Sequence, residues 1–339
     1  MVATEAEVVA MRHALVLAAA PTAPHGPNPR VGCVLLDPAG VRVAEGYHRG
    51  AGTEHAEVQA LSAAGERARG TTAVVTLEPC AHTGRTGPCA QALIAAGVVR
   101  VVFAQPDVSR QAAGGAAVLA AAGLSVEGGV LEDQARQLNR TWTVAEGRGR
   151  PFLTWKFAAT MDGRVAAADG TSQWITGPEA RADVHRWRGR ADAILVGTGT
   201  VLADDPRLTV RDADGVSLPS PPTRVVMGLR DVPVGARIND DATPTLHLRT
   251  RDPAEALTEL FGAHVRHVFL EGGPRLAGAF VSAGLVDRVI GYYAGRLLGA
   301  GPSALADTSV RTLAQAPWVT IRDVAMIGGD VRVVAETDS

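Results

Sequence analysis

Four side chains in the N-terminal half of the chain have the types and the spacing that metal-assisted hydrolysis requires. His55 and Glu57 stand two positions apart, and Cys80 and Cys89 follow, each directly after a proline. One imidazole and two thiolates can fill three positions of a tetrahedral zinc site and leave the fourth for water. Zinc lowers the pKa of such a water, which makes hydroxide available near neutral pH. We therefore predict that His55, Cys80 and Cys89 bind the metal and that Glu57, off the metal, is the general acid/base.

The elements around these residues have to bring them to one point. His55 and Glu57 lie about 200° apart around a regular helix, and they can share a site only if His55 begins the helix. Pro88 favours a helix start, which puts Cys89 at the positive end of a helix dipole, where a thiolate is stabilised. The apolar run 73–77 predicts a strand that leads to the first cysteine. A His-x-Glu motif followed by Pro-Cys and a second Cys is typical of zinc-dependent deaminases, and this is the chemistry that we predict.

The spacing leaves alternatives open. Eight residues separate the two cysteines, where zinc deaminases ordinarily have two. His82 inside this loop is therefore a rival ligand, and His48 is a weaker one. The cysteines can also be inert core residues, and a site closed by a fourth protein ligand would be structural rather than catalytic. The role of Asn28, which lies between two prolines, stays open between a turn residue and a ligand contact.

Length and composition limit the class of protein. A chain of 339 residues is expected to form two domains. A net charge of −2 argues against a large nucleic-acid surface, and no apolar run approaches the ~20 residues of a membrane span. Three cysteines give no disulfide framework, and the first residues lack the basic-then-apolar order of a signal peptide. These features predict a cytoplasmic protein that binds neither nucleic acid nor membrane.

Lysine usage singles out one further residue. Of the 33 lysines and arginines only Lys156 is a lysine, and it lies in the apolar, aromatic stretch 152–157. Lysine carries a compact ammonium whose pKa shifts readily on burial, unlike that of arginine. The alternative is a lysine without a function, left in a chain that otherwise uses arginine, whose ammonium reaches solvent from a strand edge. We favour a catalytic role.

Strand and helix patterns alternate along both halves of the chain, which predicts largely parallel sheets covered by helices. The Gly/Arg/Pro stretch 147–151 marks the boundary between domains at 1–148 and 149–339. One helix is predicted over 131–143, and two short strands are predicted near the C-terminus.

Local signals predict helix starts and anion-binding turns. Capping boxes are expected at Thr4 with Glu7 and over 176–179. Gly-rich turns follow strands at 197–200 and 271–274, and backbone N–H groups at such turns can hold phosphate, although neither turn matches the dinucleotide fingerprint. The second turn begins with a glutamate at a strand end, which is a poor core position and a good site position.

Motifs along almost the whole chain are similar to those of one enzyme family. In the first half they are Pro27-Asn28-Pro29-x-Val31-Gly32, Gly46-x-His48, His55-Ala56-Glu57 and Cys80-x-His82-x-Gly84-x-Thr86-x-x-Cys89. In the second half they are Lys156, Met161-Asp162-Gly163-Arg164, Ser172-Gln173-Trp174-Ile175-Thr176, the stretch 203–211 and Glu271-x-Gly273-Pro274. The chain resembles the bifunctional riboflavin-biosynthesis deaminase/reductase, in which the long Cys–Cys loop is usual.

The resemblance implies two consecutive reactions and two folds. A cytidine-deaminase-like three-layer domain would remove the 2-amino group of 2,5-diamino-6-(5-phosphoribosylamino)pyrimidin-4-one by zinc-dependent hydrolysis. A dihydrofolate-reductase-like α/β domain would then reduce the ribosyl side chain to ribityl with NADPH. The expected partners are this small phosphoribosyl pyrimidine and further copies of the same chain in a homo-oligomer.

The family pattern also implies contact residues in the second half. The NADPH contacts would be Ala158, Trp174, Thr200, Asp204, Gly273, Pro274, Arg275, Leu276, Ala277, Gly278 and Ala279. The substrate contacts would be Ser172, Arg188, Leu208, Arg211 and Glu271, with Lys156 facing the sugar. Arginine suits a phosphate because its guanidinium binds the oxygens bidentately.

The chain departs from the family pattern at three places. Gly87 replaces a common proline, Val108-Ser109 replace a usual Pro-Asn, and Gly228-Leu229 replace an acidic residue and a serine. The second departure affects an expected substrate contact, and the third affects an expected cofactor contact. The rival interpretation is a deaminase of free nucleotides or RNA whose C-terminal half is only a scaffold. NADPH oxidation that depends on the deaminated product would discriminate between the two.

Overall fold

The chain forms two compact units, Met1–Arg148 and Gly149–Ser339. The structure is a computed structural model that describes residues 2–20, 26–82, 87–211, 215–217 and 221–337. Two motif positions of the Cys–Cys loop, Gly84 and Thr86, and much of the predicted loop over 212–222 lie outside the described residues.

The described residues of the first unit form five strands and six α-helices. In chain order they are α1 (Glu5–Ala18), β1 (Gly32–Leu36), β2 (Arg42–Tyr47), α2 (Ala56–Ala64), β3 (Thr72–Leu77), α3 (Cys89–Ala95), β4 (Arg100–Gln105), α4 (Gly115–Ala121), β5 (Ser125–Glu127), α5 (Glu132–Leu138) and α6 (Arg140–Arg148). A short 3-10 helix, Gly65–Ala68, follows α2.

The five strands of this unit form one sheet in the order β2-β1-β3-β4-β5. β1 is antiparallel to both β2 and β3, whereas β3, β4 and β5 are parallel. Two of the four neighbouring pairs are antiparallel, and the prediction of a largely parallel sheet was therefore wrong for this half. The hairpin of β1 and β2, which the strand patterns over 31–36 and 41–46 predict, is confirmed, and the Asp37 carboxylate closes its turn by accepting the N–H groups of Ala39 and Val41.

Helices cover both faces of this sheet. On one face α1 and α5 bury Met11 and Ala135. On the other face α2, α3 and α4 bury Ala60, Leu93 and Leu119. The result is the three-layer α/β architecture that was predicted.

Two contacts explain where helices of the first unit begin and end. α1 starts at the predicted capping box, in which the Thr4 hydroxyl accepts the Glu7 N–H and the Glu7 carboxylate accepts the Thr4 N–H. The single helix predicted over 131–143 is instead α5 and α6. Asn139 interrupts it, because its side chain bonds both the N–H and the carbonyl of Arg30. The interruption ties these helices to the segment that leads into β1.

The second unit has eight strands and four α-helices within the described residues. They are β6 (Phe152–Thr160), α7 (Pro178–Arg188), β7 (Ala193–Gly197), α8 (Thr198–Asp204), β8 (Thr223–Met227), β9 (Thr245–Leu248), α9 (Pro253–Gly262), β10 (His267–Leu270), α10 (Pro274–Ser282), β11 (Arg288–Ala294), β12 (Val319–Ile327) and β13 (Asp330–Thr337). Of the helices described in either unit, none combines the length and the apolar character that crossing a bilayer demands.

The eight strands form one sheet in the order β12-β13-β11-β6-β10-β7-β8-β9. All neighbours from β11 to β9 are parallel, and β13 is antiparallel to β11 and β12. α9 and α10 bury Leu257 and Phe280 on one face, and α7 buries Ala180 and Val184 on the other. The prediction of a largely parallel, helix-covered sheet is confirmed here. In such a sheet ligands bind at the carboxyl ends of the strands.

Some local predictions for the second unit were wrong. No capping box forms over 176–179, because Gly177 is the N-cap residue and its N–H donates to the Asp330 carboxylate at 2.7 Å. The two C-terminal strands are nine and eight residues long rather than short. The stretch 197–200 begins α8 rather than forming a turn, and α9 was not predicted although Asp252 caps it.

Candidate functional site

The predicted metal ligands come from three elements that meet beyond the carboxyl end of β3. His55 is the N-cap residue of α2, Cys80 lies just past β3, and Cys89 is the first residue of α3. The Nδ1 atom of His55 lies 3.1 Å from the Cys89 sulfur and 3.7 Å from the Cys80 sulfur. The three ligand atoms all lie within 4.8 Å of one another.

This set of donors fits zinc. Bonds of about 2.0–2.3 Å place the ligand atoms of a tetrahedral zinc site roughly 3.5–3.8 Å apart, close to the observed separations. The rival ligands His82 and His48 do not belong to the cluster that the described residues form. Three protein donors leave one tetrahedral position open, which is the arrangement of catalytic rather than structural zinc sites.

The two thiols of the cluster shift each other's pKa. A hydrogen bond between the thiols lowers the pKa of Cys80 and raises the pKa of Cys89. The Cys80 sulfur in turn raises the pKa of His55. Zinc binding would displace these protons, since the ligands of zinc are thiolates and a neutral imidazole.

Glu57 lies beside the cluster, on the first turn of α2. Only 3% of its surface is exposed. Burial raises its pKa to about 6, although its own backbone N–H and His55 oppose the shift. A carboxyl group with a pKa close to neutrality can both accept and give a proton, as a general acid/base has to do.

A cavity of about 220 Å³ opens beside Glu57 and the cluster. Polar side chains from other elements complete its wall, among them Asn28, His48, Glu78, His82, Asp107 and Ser109. The Asn28 amide nitrogen lies 3.0 Å from His48 Nε2, and His48 Nδ1 bonds the Glu54 carbonyl. Asn28, whose role the sequence left open, therefore contributes to the cavity.

Glu78, two residues before Cys80, organises part of the cavity wall and was not predicted. Its carboxylate accepts the N–H groups of Asp107, Gly114 and Ala116 at 3.1, 3.2 and 2.9 Å. The Asp107 carboxylate in turn accepts the Ser109 N–H at 2.8 Å, which shapes the loop after β4. An acidic residue directly after a buried strand and before Pro-Cys was the available signal.

A cluster of charged side chains lies at the carboxyl edge of the second sheet. Glu271 follows β10 and pairs with Arg188, the last residue of α7, through bonds of 2.5 and 2.8 Å. Arg188 also donates to the Thr209 carbonyl at 2.9 Å. Lys156 lies on β6, the neighbour of β10, and interacts electrostatically with both Glu271 and Arg188.

Burial and charge together set the protonation of this cluster. Burial lowers the pKa of Lys156, Glu271 opposes the shift and Arg188 adds to it. Burial acts to raise the pKa of Glu271, but Arg188 and Lys156 bring it below the ordinary value. Glu271 is therefore ionised at neutral pH, and Lys156 gives up a proton more readily than a free lysine.

The segment 208–211, which carries the predicted substrate contacts Leu208 and Arg211, lies against the end of α7. The Arg211 N–H donates to His185 Nδ1 at 3.2 Å. Leu208 is buried and has a left-handed φ of 49°. His185 was not predicted, although its spacing of three from Arg188 puts both on one face of the helix.

Part of the predicted cofactor set comes together where α8 and α10 begin. The Gly197 N–H donates to the Gly272 carbonyl at 3.0 Å, which joins the two helix starts. A Cβ atom at Gly273 would lie 3.5 Å from the Thr200 hydroxyl. The run Gly273–Ala279 and Thr200 are therefore adjacent, and Ala158 lies further along β6.

No direct bond joins the remaining predicted residues to the charged cluster within the part of the chain that the structure describes. Among the described residues Ser172, Trp174 and Asp204 make no hydrogen bond or ion pair with Lys156, Arg188 or Glu271. Trp174 is 60% exposed, and its ring lies 4.6 Å from a guanidinium group of α7.

The departure at Gly228 has a structural reason. This glycine has a φ of 140°, and a Cβ atom there would lie 2.7 Å from the Thr198 hydroxyl. A side chain at position 228 would therefore collide with the Thr198 hydroxyl. The presence of threonine at position 198 requires glycine at position 228.

Comparison with known proteins assigns both halves of the chain. The family model described as the cytidine and deoxycytidylate deaminase zinc-binding region matches residues 5–105, and the RibD C-terminal domain model matches residues 151–331. The riboflavin biosynthesis protein RibD of Mycobacterium tuberculosis (strain H37Rv) is 49% identical over 306 residues, which cover 90% of each chain.

Solved structures are similar over nearly the whole length. RibD of Acinetobacter baumannii (form 2) has a TM-score of 0.90 at 36% identity and covers 98% of this chain and 99% of its own. The diaminohydroxyphosphoribosylaminopyrimidine deaminase/5-amino-6-(5-phosphoribosylamino)uracil reductase of Thermotoga maritima has a TM-score of 0.86 at 29% identity, with coverage of 98% and 99%. These matches confirm the predicted order of a cytidine-deaminase-like domain and a reductase domain.

The cofactors follow from the two domains. The matched zinc-binding region contains the cluster of His55, Cys80 and Cys89, and the reductase domain is of the kind that uses NADPH. The chain belongs to the RibD family, the bifunctional deaminase/reductases of riboflavin biosynthesis.

Proposed function

We propose that residues 1–148 hydrolyse the 2-amino group from 2,5-diamino-6-(5-phosphoribosylamino)pyrimidin-4-one, and that residues 149–339 reduce the ribosyl side chain of the product to ribityl with NADPH. The observation that carries the deaminase half is the cluster of three zinc-type donors beside a buried glutamate in one cavity. The reductase half is supported by the single lysine of the chain beside a buried Arg–Glu pair.

In the deaminase, His55, Cys80 and Cys89 hold the metal. Bound zinc supplies a Lewis acid that lowers the pKa of water at the open position. Glu57 takes a proton from the attacking water, gives it to the ring nitrogen and then moves a proton to the departing ammonia. The raised pKa of Glu57 suits both transfers. Asn28 on the cavity wall orients the pyrimidine.

In the reductase, bound NADPH supplies the hydride that C1′ of the sugar receives. Lys156 faces the sugar in its open-chain imine form. Hydride addition at C1′ leaves an electron pair on the imine nitrogen, and Lys156 donates the proton that this nitrogen takes up. The lowered pKa of Lys156 favours the transfer. Arg188 holds the Glu271 carboxylate in a fixed orientation, from which it accepts hydrogen bonds of the base or the sugar hydroxyls.

The other contacts follow the family pattern. The residues that would hold NADPH are Ala158, Trp174, Thr200, Asp204 and the run Gly273–Ala279. The phosphoribosyl pyrimidine lies against Ser172, Arg188, Leu208, Arg211 and Glu271. The cytoplasm is the proposed compartment, because its reducing conditions keep the buried cysteines as thiols.

A homo-oligomer formed through β12 is part of the proposal. Val319, Ile321, Val324 and Met326 on this edge strand are 39–65% exposed. All four pair with alternate residues of β13, from Thr337 to Val331, and share one face of the sheet. An exposed apolar face on an edge strand favours association. An Ile321→Lys/Met326→Lys variant that sediments like the wild type would argue against this interface.

One experiment tests both reactions. The purified chain is incubated with the phosphoribosyl diaminopyrimidine and NADPH, and ammonia and nicotinamide absorbance are followed together. Ammonia is expected first, followed by NADPH oxidation that requires the deaminated product. Ammonia release from free nucleotides or RNA without any NADPH oxidation would favour a nucleotide deaminase with a scaffold half instead.

A further inference from the structure

The last turn of α7 contacts the segment 209–211 at two points. The Arg188 guanidinium donates to the Thr209 carbonyl at 2.9 Å, and His185 Nδ1 accepts the Arg211 N–H at 3.2 Å. A backbone amide can only donate, and Nδ1 therefore carries no proton in this arrangement. His185 is accordingly the neutral tautomer with its proton on Nε2.

The segment begins next to a residue in an uncommon conformation. Leu208 has a left-handed φ of 49°, which side chains branched near the backbone rarely adopt. Upstream, the buried Arg224 guanidinium reaches the Arg207 carbonyl at 3.5 Å. Downstream, the contacts of α7 hold the chain up to Arg211. A backbone held in this way depends on bonds from outside the segment.

α7 itself is fixed to the sheet. The Asp183 carboxylate accepts the Tyr292 hydroxyl at 2.7 Å and an Arg332 N–H at 2.8 Å, from β11 and β13 respectively. Asp183 is buried. The end of the helix is therefore a firm support from which His185 and Arg188 can hold a loop.

We infer that His185 is a positioning residue of the reductase site, which accepts the Arg211 N–H and so fixes the backbone that presents Leu208 and Arg211 to a phosphoribosyl substrate. The inference rests on the proposed function, in which these two residues contact that substrate. His185 acts through the backbone of the segment and is therefore expected to affect substrate binding more than the chemical step.

Two substitutions separate this role from a general structural one. The Oδ1 atom of asparagine can accept the same N–H as histidine Nδ1, whereas alanine offers no acceptor. His185→Ala is expected to raise the KM for the deaminated phosphoribosyl substrate about five- to tenfold, the effect of one neutral hydrogen bond. The KM for NADPH and kcat should change less than about twofold. His185→Asn should recover most of the lost affinity, and thermal unfolding of each variant serves as the folding control.

The pH dependence of KM gives a second readout. Protonation of Nδ1 would remove the acceptor. The groups that face His185 are Arg188 on its own helix, Arg211 on the segment and Glu271 after β10. Burial and the two arginines lower the pKa of His185 from 6.5, against the opposing effects of Glu271 and of a hydrogen bond with the Thr209 backbone. The ratio of the wild-type KM to that of His185→Asn should therefore rise as the pH falls below the lowered pKa of His185, and the phosphate of the substrate titrates equally for both proteins.

An unchanged KM in His185→Ala would overturn the inference, as would an asparagine variant that behaves like the alanine one. Equal losses in substrate affinity and NADPH affinity, together with a lower unfolding temperature, would also overturn it, because they would indicate a general role in folding. Absence of product-dependent NADPH oxidation in the wild type would refute the proposed reductase function, and the inference would fall with it.

Discussion

At the scale of single residues, we propose that Glu57 carries the proton transfers that three metal ligands alone do not provide. It is buried beside the cluster, and burial raises its pKa to about 6. We predict that Glu57→Gln lowers the rate of ammonia release about 10²–10⁴-fold while zinc content is unchanged, because glutamine keeps the shape but cannot carry the proton. Metal analysis and an ammonia assay on the same preparation check this.

A matched control is available in the loop that precedes α2. Glu54 is exposed, and its backbone carbonyl rather than its carboxylate bonds His48. Glu54→Gln should therefore release ammonia at close to the wild-type rate. Normal activity of Glu57→Gln would remove Glu57 from the mechanism.

Lys156 offers the corresponding test in the second unit. Lys156→Arg keeps the positive charge, but a guanidinium does not give up its proton at neutral pH. We predict a fall in product-dependent NADPH oxidation of about 10²-fold or more, with ammonia release unaffected. Stopped-flow or steady-state absorbance at the nicotinamide band measures NADPH oxidation, and thermal unfolding serves as the control for stability. Unchanged NADPH oxidation would contradict the proton-transfer role.

The residue types of the metal site could be predicted because zinc accepts few ligands and the order of His, Glu and two Cys is uncommon. Glu78 and His185 could not be predicted in the same way. Both act through backbone groups that are distant in the chain, since Glu78 bonds the N–H of Ala116, 38 positions away, and His185 that of Arg211, 26 positions away. No local pattern records such a contact.

At the scale of elements, prediction succeeded where the signal was local. The capping box of α1 is complete within four residues of sequence, and His55 begins α2 as its position required. Prediction failed where a distant group intervened. Asn139 breaks the helix over 131–143 by bonding Arg30, 109 positions away. The carboxylate of Asp330, 153 positions away, accepts the Gly177 N–H in place of the expected capping box.

The attachment of α7 to its sheet depends on Asp183. We predict that Asp183→Asn lowers the free energy of unfolding by about 1–3 kcal/mol, because the buried Asp183 carboxylate pairs with Arg332, whose side chain is only 17% exposed. Urea denaturation measures the change. Arg186→Ala, which removes an ion-pair partner that is 68% exposed, should cost less than about 0.5 kcal/mol.

The same carboxylate gives this stability a pH dependence. Burial acts to raise the pKa of Asp183, but hydrogen bonds from Tyr292 and Arg332 bring it below the ordinary value of 3.8. A lowered pKa stabilises the fold above that value, and the contribution is lost as the pH falls through the folded-state pKa. The difference between wild type and Asp183→Asn should therefore narrow in acid. A constant difference down to low pH would contradict the assignment of the charge.

At the scale of the whole molecule, the chain joins two chemistries whose residues do not overlap. The zinc-type donors, Glu57 and the cavity all belong to Met1–Arg148, and Lys156, Arg188 and Glu271 belong to Gly149–Ser339. The division between these units falls in a Gly/Arg/Pro stretch that was visible in the sequence. Two activities that depend on separate residues can be lost separately.

Metal removal tests this separation. The group of potential metal ligands found among the described residues lies in the first unit, and the charged cluster of the second unit is held by its own Arg188–Glu271 pair. We predict that a chelator abolishes ammonia release but leaves NADPH oxidation intact when the deaminated product is supplied, and that added zinc restores the first activity. Glu57→Gln should likewise lose ammonia release and keep NADPH oxidation, but with its metal still bound. Lys156→Arg should keep ammonia release and lose NADPH oxidation. If chelation also stopped NADPH oxidation with supplied product, the reductase would depend on the metal, and the assignment of one chemistry to each unit would be wrong.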